Sequence, residues 1–94
     1  MKKRIFLKFP PQFSKLINNQ SIVEFAGDNL LELINYLDCT YGNNIRERLL
    51  NDENRLRLYL NIFIGENNIN SLEGINSLIS DGDKISLILP RAGG

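Results

Sequence analysis

The sequence contains no histidine and one cysteine, Cys39, among its 94 residues. Without histidine, the chain cannot supply Ser-His or Cys-His catalysis or the common metal sites that use imidazole. A single cysteine cannot form an intramolecular disulfide, which favours a reducing compartment. We therefore expect a cytoplasmic protein that has no catalytic residues, no metal site and no bound cofactor of its own.

Net charge and long apolar segments are also lacking. Eleven Lys and Arg residues balance eleven Asp and Glu residues, whereas binding to nucleic acid by counterion release needs a basic surface. The apolar runs are far shorter than the ~20 residues needed to span a bilayer. The basic start, Met1 to Arg4, is not followed by an apolar stretch of signal-peptide length. The sequence predicts neither a nucleic-acid partner nor a membrane partner.

The composition that is present is that of one small globular domain. Hydrophobic residues make up 43% of the chain and charged residues 23%, which is an ordinary balance for a folded protein. Because a typical domain has ~100–150 residues, there is no room for a second core. We expect one domain over residues 1–90 and a flexible C-terminal tail over residues 91–94.

Alternating apolar residues predict strands over residues 4–9, 21–25, 58–64 and 84–89, with a further short strand starting at Ile69. The side chains expected to face the core are Ile5, Leu7, Val23, Phe25, Leu60, Ile62, Ile85 and Leu87. Residues 12–20 are interpreted as a polar connection. The stretch that includes Leu72, Ile75, Leu78 and Ile79 is interpreted as irregular structure that closes over the core.

Helical spacing begins after Asn29, which can cap a helix with Glu32 three residues later. The apolar stripe of this helix consists of Leu30, Leu33, Ile34, Leu37 and Tyr41. The segment 42–44 ends the helix, and residues 45–50 predict a second, short one. The order of elements is typical of an α+β fold: a mixed four- to five-stranded sheet with one main helix packed on one face.

The last two residues, Gly93 and Gly94, suggest a function for the tail. Because glycine has no Cβ, a narrow channel in a partner protein can close around this backbone. Frayed chain ends are common, so two glycines alone are weak evidence. Their position directly after the last predicted strand makes them informative.

Three segments carry a resemblance to a known family: residues 61–65 (NIFIG), 80–87 (SDGDKISL) and 91–94 (RAGG). In this spacing the chain resembles the ubiquitin-like small sulfur carriers of the ThiS/MoaD/CysO family, which have a β-grasp fold. The resemblance covers essentially the whole chain and includes Gly27 and Asp28 before the main helix.

The resemblance implies that an E1-like enzyme uses ATP to adenylate the carboxyl group of Gly94. Sulfur transfer then converts the terminus to a thiocarboxylate, which donates sulfur in biosynthesis. The implied acceptor is a cysteine synthase or the large subunit of a molybdopterin synthase, with the sequence slightly closer to the cysteine-type carriers. The acceptor and the sulfur donor stay open at this point.

Two other functions are compatible with the same residues. A ubiquitin-like protein modifier would be conjugated to lysines through Gly94, and a non-catalytic β-grasp interaction module would not use its tail. Cys39 is a rival sulfur carrier, but neither a second cysteine nor a histidine assists it.

A partner-binding surface is expected on the sheet face opposite the helix. Phe6, Phe63 and Ile88 come from three predicted strands and point to that face. Arg91 and Ala92 of the tail are expected to bind the partner as well. Lys8, Lys84 and Arg91 would border this surface with positive charge.

Overall fold

The computed structural model of the chain describes residues 2–89. Five strands form one sheet: β1 (Lys3–Lys8), β2 (Ile22–Phe25), β3 (Asn61–Ile64), β4 (Asn67–Asn68) and β5 (Lys84–Ile88). Three helices accompany them: α1 (Pro11–Ser14), α2 (Leu30–Tyr41) and α3 (Ile45–Leu49). Within residues 2–89, no helix is long and apolar enough to cross a membrane.

The strand order in the sheet is β2-β1-β5-β3-β4. β1 and β2 form an antiparallel hairpin, whereas β1 and β5 run parallel at the centre. β5 pairs antiparallel with β3 on its other side. The mixed sheet and the helix packed against it confirm the predicted α+β, β-grasp architecture.

The main helix begins and ends where the sequence predicts. The Asn29 side chain accepts a hydrogen bond from the backbone N–H of Glu32 at 2.9 Å. The Glu32 carboxylate in turn accepts one from the backbone N–H of Asp28 at 3.0 Å. At the other end Gly42 has φ +73°, a left-handed value that glycine adopts without a steric penalty and that ends the helix.

The core lies between α2 and the inner face of the sheet. All eight strand residues predicted to face the core are buried, as are Leu30, Leu33, Ile34 and Leu37 of α2. Ile17 is also a full core member, at 1% exposure. It is held by α1 and a 3-10 turn over Lys15–Ile17, so residues 12–20 are more ordered than the predicted polar connection.

The prediction that a strand begins at residue 58 is wrong. β3 begins at Asn61, because the preceding backbone is bonded elsewhere: the Leu60 N–H donates to the Arg57 carbonyl at 3.0 Å, which closes a turn. The Arg57 N–H donates to the Leu49 carbonyl in α3, also at 3.0 Å. These bonds leave residues 57–60 out of the ladder with β5.

Two further predictions for the second half of the chain are wrong. Ile69 begins a 3-10 turn and not a strand, because the Asn68 side chain accepts a bond from the Asn70 N–H and turns the chain there. Leu78 does not close over the core and is 72% exposed. The Ile79 N–H bonds to the Asp28 carbonyl and the Leu30 N–H to the Ser77 carbonyl, so this segment is extended and alternation directs Leu78 outward.

Leu72, from the same predicted covering stretch, is likewise largely exposed at 44%. It follows the 3-10 turn over Ile69–Ser71, and its N–H donates to the Ile69 carbonyl, so the chain turns away from the core at this point. Ile75 and Ile79 do pack on the core, as predicted.

Candidate functional site

The outer face of the sheet carries the three apolar residues proposed to bind a partner. Alternation along each strand directs them away from the core, since their neighbours Ile5, Ile62 and Leu87 are buried. Phe6 is 38% exposed, Ile88 is 47% exposed, and Phe63 is half-buried.

The strand register shows how these side chains are arranged. Phe63 lies opposite Ser86 on β5, and Ile88 is two residues further along the same strand. Phe63 and Ile88 are therefore diagonal neighbours, a separation that an aromatic side chain can bridge. Phe6, on the other side of β5, has Ile22 and Lys84 as its cross-strand partners.

Ile22 is an outer-face residue that the sequence reasoning did not name. It is 44% exposed and pairs directly with Phe6. The signal was present in the alternation of β2, because Val23 and Phe25 face the core and Ile22 must then face outward. The outer face thus carries two apolar pairs, Phe6 with Ile22 and Phe63 with Ile88.

Positive charge lies between and beside these pairs. Lys8 pairs with Ser86, and Lys84 pairs with Phe6. Both lysine side chains are exposed. Within residues 2–89, neither lysine forms a salt bridge. The ion pair found in this range joins Lys3 to Asp28. This face therefore presents apolar side chains together with unpaired cations.

The described part of the chain ends at Leu89, one residue after Ile88 at the end of β5. Arg91, Ala92, Gly93 and Gly94 lie outside the described residues, and the structure gives only the place from which they depart. That place is the end of β5, between β1 and β3. A shallow groove there is lined by Phe9, Pro10, Ile88 and Leu89, with Lys8, Gln12 and Ser86 contributing polar atoms.

The turn over residues 57–60 was missed as a candidate because the sequence reasoning placed it in a strand. Its two central residues are apolar or aromatic and exposed, Leu58 at 102% and Tyr59 at 53%. The turn immediately precedes β3, whose first residue, Asn61, pairs with Ile88. It therefore lies at the same end of the sheet as the start of the tail.

Cys39 is not on the outer face of the sheet that carries Phe6, Phe63 and Ile88. It is exposed and belongs to the last turns of α2, which packs on the inner face. No group of three or more carboxylate or thiol side chains within residues 2–89 is placed to hold a metal ion.

Comparison with known proteins identifies the family. No protein-family model matches the chain. The sulfur carrier protein CysO of Mycobacterium tuberculosis is 30% identical over 77 residues, which cover 80% of this chain and 82% of that protein. The chain belongs to the CysO family of sulfur carrier proteins. The CysO of Mycobacterium bovis matches at the same identity and coverage.

Solved structures agree on the fold. The crystal structure of the Amycolatopsis orientalis BexX/CysO complex matches with a TM-score of 0.82 and 22% identity, over 96% of this chain and 99% of that one. Small archaeal modifier protein 1 from Methanosarcina acetivorans matches with a TM-score of 0.74 and 21% identity, over 100% of this chain and 99% of that one. The predicted resemblance to the CysO family and its β-grasp fold are thus confirmed.

Proposed function

We propose that this chain is a sulfur carrier that holds the sulfur atom on the carboxyl group of Gly94. The observation that carries the proposal is the 30% identity with CysO over 80% of the chain. The Gly93-Gly94 pair supports it, because two residues without side chains suit passage through a narrow channel. The chain supplies recognition and delivery, while its partner enzymes supply the chemistry.

The proposed chemistry has two steps. In the first, a carboxylate oxygen of Gly94 attacks the α-phosphorus of ATP, and pyrophosphate leaves to give an acyl-adenylate. In the second, hydrosulfide or an equivalent sulfur donor attacks the acyl carbon, and AMP leaves to give the thiocarboxylate. Activation is needed because a carboxylate is a poor electrophile, whereas the adenylate carries a good leaving group. A thiocarboxylate is a soft sulfur nucleophile and suits donation to an acceptor.

The proposed partners are an E1-like activating enzyme and a sulfur-acceptor enzyme. Similarity to CysO favours an acceptor of the cysteine synthase type over the large subunit of a molybdopterin synthase. Phe63 and Ile88, with Phe6 across the sheet, form the proposed contact surface for the activating enzyme. Arg91 and Ala92, which lie in the sequence between the domain and the two glycines, would contact the entrance of its active site. Lys8 and Lys84 suit a partner surface with negative charge.

The experiment is reconstitution with the E1-like enzyme, ATP and sulfide, followed by intact-mass spectrometry. We expect the chain to gain the mass difference between sulfur and oxygen. Deletion of Gly94 removes the reacting carboxyl group from its normal reach and should abolish the gain. Gly93→Val should also abolish it, because a β-branched side chain fills the channel and restricts the backbone.

Cys39→Ser is the control, since it removes the only thiol and should leave the gain intact. A gain that disappears with Cys39→Ser and survives the loss of Gly94 would make the chain a persulfide carrier and refute the proposal. Lysine side chains in cells that carry the terminal glycines of this chain would instead show a protein modifier.

A further inference from the structure

The turn over residues 57–60 presents two side chains that the isolated domain does not bury. Leu58 is 102% exposed and Tyr59 is 53% exposed. Turn positions of this kind are dominated by Gly, Pro, Asn, Asp and Ser, each of which suits the turn geometry. The leucine and the tyrosine at this turn are not residues that turns favour, and neither is buried as an apolar side chain usually is. Such a departure from local rules without a compensating gain in the fold is expected at functional sites.

Hydrogen bonds and burial fix the turn in place. The Arg57 backbone N–H donates to the Leu49 carbonyl at 3.0 Å, and its Nε donates to the Glu47 carbonyl at 2.8 Å. At the other end Leu60 is 3% exposed within the core. Because both ends are anchored, Leu58 and Tyr59 are presented on a preorganised element, and little conformational entropy is lost when it binds.

The turn lies beside the origin of the tail. Asn61 and Ile88 are partners in an antiparallel pair. The residues just before Asn61 therefore lie next to the residues just after Ile88, where the chain leaves the sheet. In the sequence, Tyr59 precedes Asn61 by two residues, and Leu89 follows Ile88 directly.

The length of the tail limits how far an enzyme can stay from this end of the domain. Gly94 is the fifth residue after Leu89. Fully extended, five residues reach at most about 18 Å, which is less than the 25 Å of the domain's smallest dimension. An active site that holds Gly94 must therefore bring its entrance against the residues around Leu89.

We propose that Leu58 and Tyr59 form a docking element for the enzyme that activates Gly94, and that they pack on apolar side chains at the entrance to its active site. The inference rests on the proposed function, because it requires Gly94 to react. Leu58 supplies apolar area, and Tyr59 supplies a ring with a hydroxyl that can remain at the wet edge of the contact. This element is separate from the strand residues Phe63 and Ile88.

The test compares Leu58→Asp with Leu78→Asp. Both leucines are exposed, so neither change should unfold the domain. Leu78 lies at the opposite end of the sheet, since the adjacent Ile79 carbonyl accepts a bond from Lys3 at the start of β1. Adenylation is followed as pyrophosphate release from the full chain and the E1-like enzyme, with the carrier concentration varied.

We expect Leu58→Asp to raise the KM for the carrier at least about ten-fold, as expected when the burial of a leucine side chain is lost. The kcat at saturating carrier should not change, because the tail is intact. Leu78→Asp should stay within about two-fold of the wild type, as is usual for surface changes away from a contact. An unchanged KM for Leu58→Asp, or an equal rise in KM for both variants, would refute the proposed docking role of Leu58 and Tyr59.

A binding measurement separates this inference from the proposed function. In a chain that lacks Gly94 the reaction is blocked, and calorimetry reports only docking to the activating enzyme. Weaker binding of Leu58→Asp in that background supports the turn, and unchanged binding refutes it. If the wild-type chain binds the enzyme but is not adenylated, the proposed function is refuted. The binding measurement on Leu58→Asp still shows whether the turn contributes to docking.

Discussion

Gly27→Ala should destabilise the domain, although it adds a single methyl group. Gly27 connects β2 to α2, and a Cβ built on it would lie 2.3 Å from Cζ and 2.6 Å from Cε1 of Phe25. Phe25 is 3% exposed, and its ring centroid is 5.8 Å from that of Tyr36. The ring cannot move into solvent to relieve the contact, so it must shift inside a packed core.

The magnitude follows from two opposing effects. Overpacking of a core costs about 1–3 kcal/mol. Replacing Gly with Ala lowers the conformational entropy of the unfolded chain, which stabilises the folded state by about 0.4–1 kcal/mol. The clash is the larger effect, and we expect a net loss of about 1–2 kcal/mol in the free energy of unfolding. In a domain of this size each kcal/mol lowers the Tm by about 4–8 °C.

The assay is urea denaturation of a double-mutant cycle with Phe25→Leu. Leucine lacks the Cε1 and Cζ atoms that cause the clash, so Gly27→Ala should cost little or nothing in that background. The expected coupling is about 1 kcal/mol or more, in the range typical of residues in contact. If Gly27→Ala has the same effect in both backgrounds, the clash with the ring is not the reason for glycine at this position.

Two more changes test the core and the outer face. Leu33→Ala should lower the free energy of unfolding by about 2–5 kcal/mol, because this leucine is fully buried in α2; an unchanged thermal midpoint would contradict the assigned core. Ile88→Asp should leave the fold intact and weaken capture by the activating enzyme, because it places an unpaired charge in an apolar contact. Undiminished capture, measured beside Leu78→Asp, would remove Ile88 from the contact surface.

The elements that the sequence predicted well depend on local signals. The capping residues Asn29 and Glu32 and the left-handed Gly42 mark both ends of α2, and these interactions involve neighbours in the chain. Alternation likewise identified the buried residues of each strand. Period-two burial needs no knowledge of which strands are adjacent.

The errors occur where distant backbone groups compete for hydrogen bonds. Leu58, Tyr59 and Leu60 read as a strand, but the bond from Arg57 to Leu49 depends on the placement of α3. The exposure of Leu78 depends on pairing with residues 28–30, fifty positions earlier in the chain. Alternation along each strand showed that Phe6 and Phe63 face outward. That β5 lies between them could not be predicted from alternation, because it depends on the order of strands in the sheet.

The central place of β5 also has a mechanical consequence. Its hydrogen bonds run across the strand direction to β1 on one side and to β3 on the other. A tensile force applied to the chain beyond Leu89 acts along the strand, so it loads both ladders in shear at the same time and does not peel them apart bond by bond. We therefore expect the domain to stay folded when the proposed activating enzyme pulls on the tail, so that the same chain can react again.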